Sequence, residues 1–357
     1  MLILLRWYLL SKRNTLDLWA TEFKEHLEKR RVGVIGSGSW GSAIVKMLTQ
    51  NLEDVHWFVR NPESAEHLRN YSHNPKYLQS VEFDLEKLHI TSDLKEVVHN
   101  CDVLFMVTPS AFIVDLFSEL TKADFSNKII VSAIKGIIPE FNAIPARYFH
   151  KTFDIPYEQI GMISGPCHAE EVALERLSYL TIGCQDEDIA QEISEMLACR
   201  FIKTTVSDDL FGTELCAVLK NIYAIASGIF SGLGYGDNFQ AVLIANAIQE
   251  AESFVDAVNP IHRDVLSSAY LGDLLVTAYS KFSRNRTFGF MIGKGYSVKT
   301  AQLEMDMIAE GYYAVNSIME MNKKFMVEIP ICEAVYNIVY ERISPYVETK
   351  ILADKLS

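Results

Sequence analysis

The chain has 357 residues, of which 49% are hydrophobic and 22% charged, and its net charge is −13. This is the balance of a globular protein long enough for two domains. With 33 basic residues against 46 acidic ones and no basic block, the charge argues against a nucleic-acid partner, although a few local cations can still dominate a cleft.

Residues 1–30 read as an N-terminal extension. "MLILLRWYLL" is apolar, but it is short and interrupted by Arg6, so it lacks the roughly 20 apolar residues of a spanning helix and the pattern of a signal peptide. Leu16, Trp19, Phe23 and Leu27 then recur at helical spacing. Two readings are open: an amphipathic segment packed on the body or a start placed too early, and a helix lying on a membrane surface.

From Arg31 the order is strand, helix, strand. "RVGVIG" is a buried strand, "SWGSAIVKMLTQN" a helix and "VHWFVRN" a second strand. "DVLFMVTPS", "KIIVSAIKG", "IGMISGP" and "LSYLTIGC" continue the series of short apolar strands, each ending in a polar turn. Apolar strands alternating with helical stretches predict an α/β fold, a Rossmann-like doubly wound and mostly parallel sheet. Beyond residues 205–210 the apolar spacing turns helical, so the expected domains are 31–206, dinucleotide-binding, and 207–357, helical and substrate-binding.

Between the first strand and helix stand Gly36, Gly38 and Gly41, with G-x-G-x-x-G spacing. The first glycine permits the turn, the second lets backbone approach a pyrophosphate, and the third permits close helix–strand packing. Trp40, between the last two, either covers a cofactor or packs inside the domain. At the end of the second strand, where an acidic residue would bind the ribose of NAD, stands Arg60. A guanidinium there suits a 2′-phosphate or stacks on adenine, which admits NADP; Glu63 nearby keeps NAD open.

Further strand ends point to the same crevice. "TPS" at 108–110 and "AIKG" at 133–136 place Lys135 where it can hold an anionic group. "SGPCHAEE" contains His168, which reads as a satisfied loop histidine. In the helical half, Lys220 and Asn221 interrupt an apolar helix; a buried lysine has a lowered pKa and suits proton transfer. Asp273 and the run Ser283, Arg284, Asn285 follow, the last three suited to cradle a phosphate. Cys101, Cys167, Cys184, Cys199, Cys216 and Cys332 contain no C-x-x-C pair or zinc spacing, so they read as reduced thiols of a cytosolic protein with no structural metal.

Together these segments resemble the NAD(P)-dependent glycerol-3-phosphate dehydrogenases. "GSGSWGSA", "AIKG", "SGP", "LKNIYAIASGI", "GLGYGDN", "LGDLLVT", "SRNRTFG" and "AEGY" occur in family order from about Arg31 to about Arg342. The resemblance implies reversible hydride transfer between NAD or NADP and dihydroxyacetone phosphate, giving sn-glycerol 3-phosphate for phospholipid biosynthesis. It implies Lys220 as the proton donor or acceptor, and Lys135, Gly165, Asp273, Ser283, Arg284 and Asn285 as substrate-binding. It assigns Gly36, Gly38, Ser39, Trp40, Gly41, Arg60, Lys135, Ala169, Arg284, Ile308 and Glu310 to the cofactor. A cytoplasmic homodimer without a transmembrane segment is implied as well. Two places depart from the family pattern: Cys167–His168, where Ser or Thr and then Phe are usual, and Ala245–Asn246, where Thr-Arg-Gly is frequent. The rival readings are a reductase of the same architecture acting on a small hydroxy acid, and a non-catalytic dinucleotide-binding regulator.

Overall fold

A computed structural model describes residues 30–305 and 309–357. The readings of the N-terminal extension up to residue 29, and of Ile308 as a cofactor contact, lie outside the described residues.

Eight strands form one sheet in the order β3-β2-β1-β4-β5-β6-β7-β8. They are β1 (Val32–Ile35), β2 (Val55–Phe58), β3 (Leu88–Thr91), β4 (Val103–Met106), β5 (Ile129–Ser132), β6 (Ile160–Ser164), β7 (Ser178–Cys184) and β8 (Ile202–Ser207). Every neighbouring pair is parallel except β6–β7. Crossovers are made by α1 (Ser39–Leu48), α2 (Pro62–Tyr71), α3 (Leu94–Asn100), α4 (Pro145–Phe153) and α5 (Glu187–Leu197), and between β4 and β5 by a short turn of α-helix at Ile113–Leu116. β1, β2, β4, β5 and β6 are buried along their whole length. This is why their sequences are continuous apolar runs and not alternating ones. Two apolar layers, one on each face, hold the sheet between helices.

The strand order runs outward in opposite directions from β1 and β4. The loops after these two strands therefore diverge and open a crevice at the carboxyl edge of the sheet, where ligands of open α/β sheets bind.

After β8 the chain is helical: α6 (Leu210–Leu233), α7 (Asp237–Val258), α8 (Asp273–Tyr279), α9 (Arg284–Gly293), α10 (Glu310–Phe325) and α11 (Pro330–Val339). Among the described residues α6 is the one helix long and apolar enough to cross a membrane, and its most apolar window is 94% buried inside the fold. It is the axis around which the other helices pack.

One packing contact fixes the site. α6 carries Gly228 and Gly232, and α9 carries Gly289 and Gly293, a G-x-x-x-G pair on each helix. A Cβ on Gly228 would lie 2.1 Å from the Arg286 carbonyl oxygen, and one on Gly289 2.1 Å from that of Ile225. The two backbones therefore touch. That contact carries the start of α9, with Arg284 and Asn285, to the middle of α6, where Lys220 and Asn221 lie.

Candidate active site

The loop after β1 is held open from below. Gly36 has φ +129°, and a Cβ there would lie 2.4 Å from the Val107 carbonyl oxygen, so only glycine fits. A Cβ on Gly41 would meet the Gly36 carbonyl oxygen at 2.3 Å, whereas Gly38 faces open space. Trp57 Nε1 donates to the Gly36 carbonyl at 2.9 Å, and Asn74 Nδ2 donates to the Ser37 carbonyl and to Ser42 Oγ, each at 2.9 Å. The first intrahelical bond of α1 runs from Ser42 N to the Gly38 carbonyl. The amides of Ser39, Trp40 and Gly41 thus precede the helical bonds and are available to an anion, as at any helix start.

This loop forms one end of a cleft of about 610 Å³ between the sheet edge and the helical half. Arg60, at the end of β2, is exposed, and its guanidinium lies over the Phe112 ring, 5.5 Å from the centroid. Both line the cleft, as do Trp40, Thr108 and Ala169. Trp40 is half-buried, and the Lys135 ammonium stands 5.7 Å from its ring centroid. The tryptophan thus joins the glycine loop to the chemistry at the other end.

There, Asp273 is buried at the start of α8. Its Oδ1 accepts from Lys220 Nζ of α6; its Oδ2 accepts from Lys135 Nζ at 3.3 Å and from the Gly165 amide at 3.4 Å. Lys220 is 5% exposed and Asp273 2%. Burial pushes the Lys220 ammonium down to about 7, against the pull of Asp273, and the neighbouring Lys135 lowers it further. For Asp273, burial acts upward, but the two lysines outweigh it and hold the carboxyl below the usual range. A lysine poised near neutrality in a closed site can give or take a proton.

An amide relay fixes the walls around this triad. The Gly311 N–H donates to Asn285 Oδ1 at 2.9 Å, Asn285 Nδ2 to Asn221 Oδ1 at 2.9 Å, and Asn221 Nδ2 to the Lys135 carbonyl at 2.7 Å. Asn285 is thereby engaged in positioning the Lys135 loop. Ser283 Oγ accepts from the Arg286 amide at 3.3 Å as the cap of α9. Both still line the cleft beside Arg284, the first residue of that helix. Glu310 binds the Ser110 hydroxyl at 2.6 Å and the Ser110 amide at 3.3 Å, clasping the β4 loop to α10. The described residues assigned from sequence to cofactor and substrate thus line this one cleft, Glu310 included, except Gly165, which reaches it through its amide on Asp273.

Several participants were not singled out from sequence. Asn74 was legible only as the turn signal "HNP", and Phe112 as one more apolar residue. Asn221 stands out in the apolar helix, but nothing in the sequence marks its partner. His168 is not satisfied: its Nε2 is buried without a hydrogen-bond partner among the described residues. Cys167 beside it is buried, and burial pushes its thiol up to about 12, so it is unreactive. Of the other departure, Ala245 is exposed, and Asn246 donates to the Val242 and Ser357 carbonyls at 2.9 Å.

Residues 31–190 match the N-terminal region, and residues 209–349 the C-terminal region, described for NAD-dependent glycerol-3-phosphate dehydrogenase. A glycerol-3-phosphate dehydrogenase, NAD(P)+, of an Exiguobacterium species is 35% identical over 320 residues, 89% of this chain and 94% of the relative. One from Staphylococcus haemolyticus is 32% identical over 312 residues, 87% and 94% of the two chains. Among solved structures, the glycerol-3-phosphate dehydrogenase of Coxiella burnetii superposes with a TM-score of 0.83 at 26% identity, covering 91% of this chain and 99% of that one.

Proposed function

The chain belongs to the NAD-dependent glycerol-3-phosphate dehydrogenase family, and from that premise we propose that the cleft reduces dihydroxyacetone phosphate reversibly to sn-glycerol 3-phosphate. The enzyme is an NAD(P)-dependent oxidoreductase. The observation that carries the reading of its site is the Asp273 carboxylate binding Lys220 and Lys135 at the end of a cleft that begins in a glycine loop.

The glycine end fits a dinucleotide. Gly38 leaves open space where a Cβ would stand, and Trp40 Nε1 and Thr108 Oγ1 are buried polar atoms in the same cleft without partners among the described residues. The amides of Ser39, Trp40 and Gly41 would hold the phosphates, Arg60 and Phe112 the adenosine end, and Ala169 and Glu310 the far end. When bound, NAD(P)H supplies the hydride.

The chain's own residues do the rest. As negative charge develops on the C2 oxygen of the ketone, the Lys220 ammonium stabilises it and delivers its proton there; in the reverse direction the neutral amine takes the alcohol proton. Asp273 orients that ammonium and keeps it charged nearer to neutrality than burial alone would allow. Lys135, on the other carboxylate oxygen, raises the positive potential and holds the substrate beside the Gly165 turn. Arg284, reinforced by the start of α9 and its Ser283 cap, clamps the phosphate and sets the position of C2. Asn285 and Asn221 hold these walls at fixed separation.

The reading carries with it a cytoplasmic homodimer whose product supplies the glycerophospholipid backbone; sedimentation of the purified chain tests the dimer. The catalytic reading is tested by oxidation of NADH and of NADPH with dihydroxyacetone phosphate, with unphosphorylated dihydroxyacetone, and with neither. Oxidation should require the phosphorylated ketone, and cofactor oxidation indifferent to it would overturn the assignment.

A further inference from the structure

Three buried polar side-chain atoms lining the cleft have no hydrogen-bond partner among the described residues: Trp40 Nε1, Thr108 Oγ1 and His168 Nε2. Trp40 and Thr108 follow β1 and β4 and belong to the dinucleotide end. His168 is different. It follows β6, three residues beyond Gly165, whose amide binds Asp273. Its ring meets the edge of Phe282, with centroids 5.9 Å apart, just before Ser283 and Arg284. It therefore stands at the substrate end, between the lysine pair and the start of α9.

A buried ring nitrogen without a partner is costly, and the cost is recovered if a ligand supplies the missing bond. The ring's charge state narrows the kind of ligand. Burial, then the Lys220 and Lys135 ammoniums, lower the His168 pKa, and the opposing pull of Glu170 and Asp273 does not cancel them. The imidazole is thus neutral at physiological pH and cannot replace a cation as a phosphate anchor. A hydroxyl both donates and accepts, so it satisfies Nε2 in either tautomer. On the reading of function given above, the ketone oxygen lies with Lys220 and the phosphate with Arg284. The one polar group of dihydroxyacetone phosphate still without a partner is its C1 hydroxyl.

We propose that His168 Nε2 hydrogen-bonds the C1 hydroxyl of the substrate, making His168 a specificity-determining residue of the cleft. A site that pairs a buried polar atom with a substrate hydroxyl discriminates against the analogue lacking it, because the atom is then left unpaired.

The test compares dihydroxyacetone phosphate with hydroxyacetone phosphate, identical except for a methyl group at C1, on the wild-type full chain and on H168F and H168L. The wild type should prefer dihydroxyacetone phosphate. Either variant should lower kcat/KM for it by about five- to tenfold, the scale of one neutral hydrogen bond, with little change for hydroxyacetone phosphate, so that the preference collapses. The KM for NADH should hold in both. An unchanged ratio of the two substrates in both variants, or a loss confined to the KM for NADH, would overturn the role of His168 while leaving the dehydrogenase reading intact. Failure of the wild type to reduce either phosphate would overturn that reading itself.

Discussion

Replacing Asp273 with Asn keeps the shape of the triad and removes its negative charge. In the wild type, burial lowers the Lys220 pKa and the Asp273 carboxylate opposes that fall, leaving it at about 7. Without the carboxylate, burial and the Lys135 charge act unopposed, and the lysine answers by deprotonating, a cheaper outcome than an unpaired buried charge. An adjacent opposite charge is worth about 1–3 pKa units. A shift of about two units would reduce the protonated fraction at neutral pH from about one half to about one in a hundred, roughly a fiftyfold loss of the form that donates. The direction of the pH dependence follows from the chemistry. Ketone reduction needs the ammonium, so its rate falls as pH rises through the Lys220 pKa; alcohol oxidation needs the amine, so its rate rises through the same point. In D273N both midpoints should move to lower pH, which steady-state kcat/KM profiles in the two directions would read. Midpoints that stay in place, or that move to higher pH, would refute the electrostatic role given to Asp273.

Arg60→Ala should raise the KM for NADPH more than that for NADH if the guanidinium over Phe112 meets a 2′-phosphate; equal losses would mean that it serves the adenine, and no loss that it serves neither. Arg284→Lys keeps the charge but loses the planar fork, so kcat/KM for dihydroxyacetone phosphate should fall by roughly 1.5–3 kcal/mol, the scale of a hydrogen bond to a charged group; a similar loss with unphosphorylated dihydroxyacetone would remove Arg284 from phosphate recognition. Gly289→Ala drives a Cβ to 2.1 Å from the Ile225 carbonyl oxygen, at an overpacking cost of about 1–3 kcal/mol. Thermal unfolding should shift down accordingly, and an unchanged Tm would mean that α6 and α9 can separate freely.

The site was legible in sequence where one residue type has few physical uses. A lysine in the middle of an apolar helix needs a buried counter-charge, and Lys220 has Asp273. Three spaced glycines after an apolar run need a tight turn, and Gly36 takes the positive φ that turn requires. The rest depended on long-range geometry. β3 and β8 went unread because they are edge strands: "LHIT" and "IKTTVS" carry exposed positions and lack the apolar run of the inner strands. The reversal at β7 left no mark, since "LSYLTIGC" is as apolar as its parallel neighbours and apolarity carries no direction. Asn285 is assigned to the substrate beside Arg284 and lines the cleft, but its second task, the amide relay, has no mark in the sequence. Its partners, Asn221 and Gly311, are 64 and 26 residues away, and only the glycine contact of α6 and α9 brings the two asparagines together. His168 looked like a satisfied loop histidine because a single sequence does not reveal which buried atoms lack a partner.

The central chemical event in the cleft is the proton that Lys220 gives and takes. Lys220→Met removes the ammonium while keeping a flexible side chain in the core, and the turnover number for dihydroxyacetone phosphate reduction should fall by about 10²–10⁴-fold, the usual contribution of general acid–base catalysis. NADH binding, followed by fluorescence titration of the same protein, should be nearly unchanged, because the glycine loop lies at the other end of the cleft. A variant that binds NADH and turns over at close to the wild-type rate would contradict the mechanism.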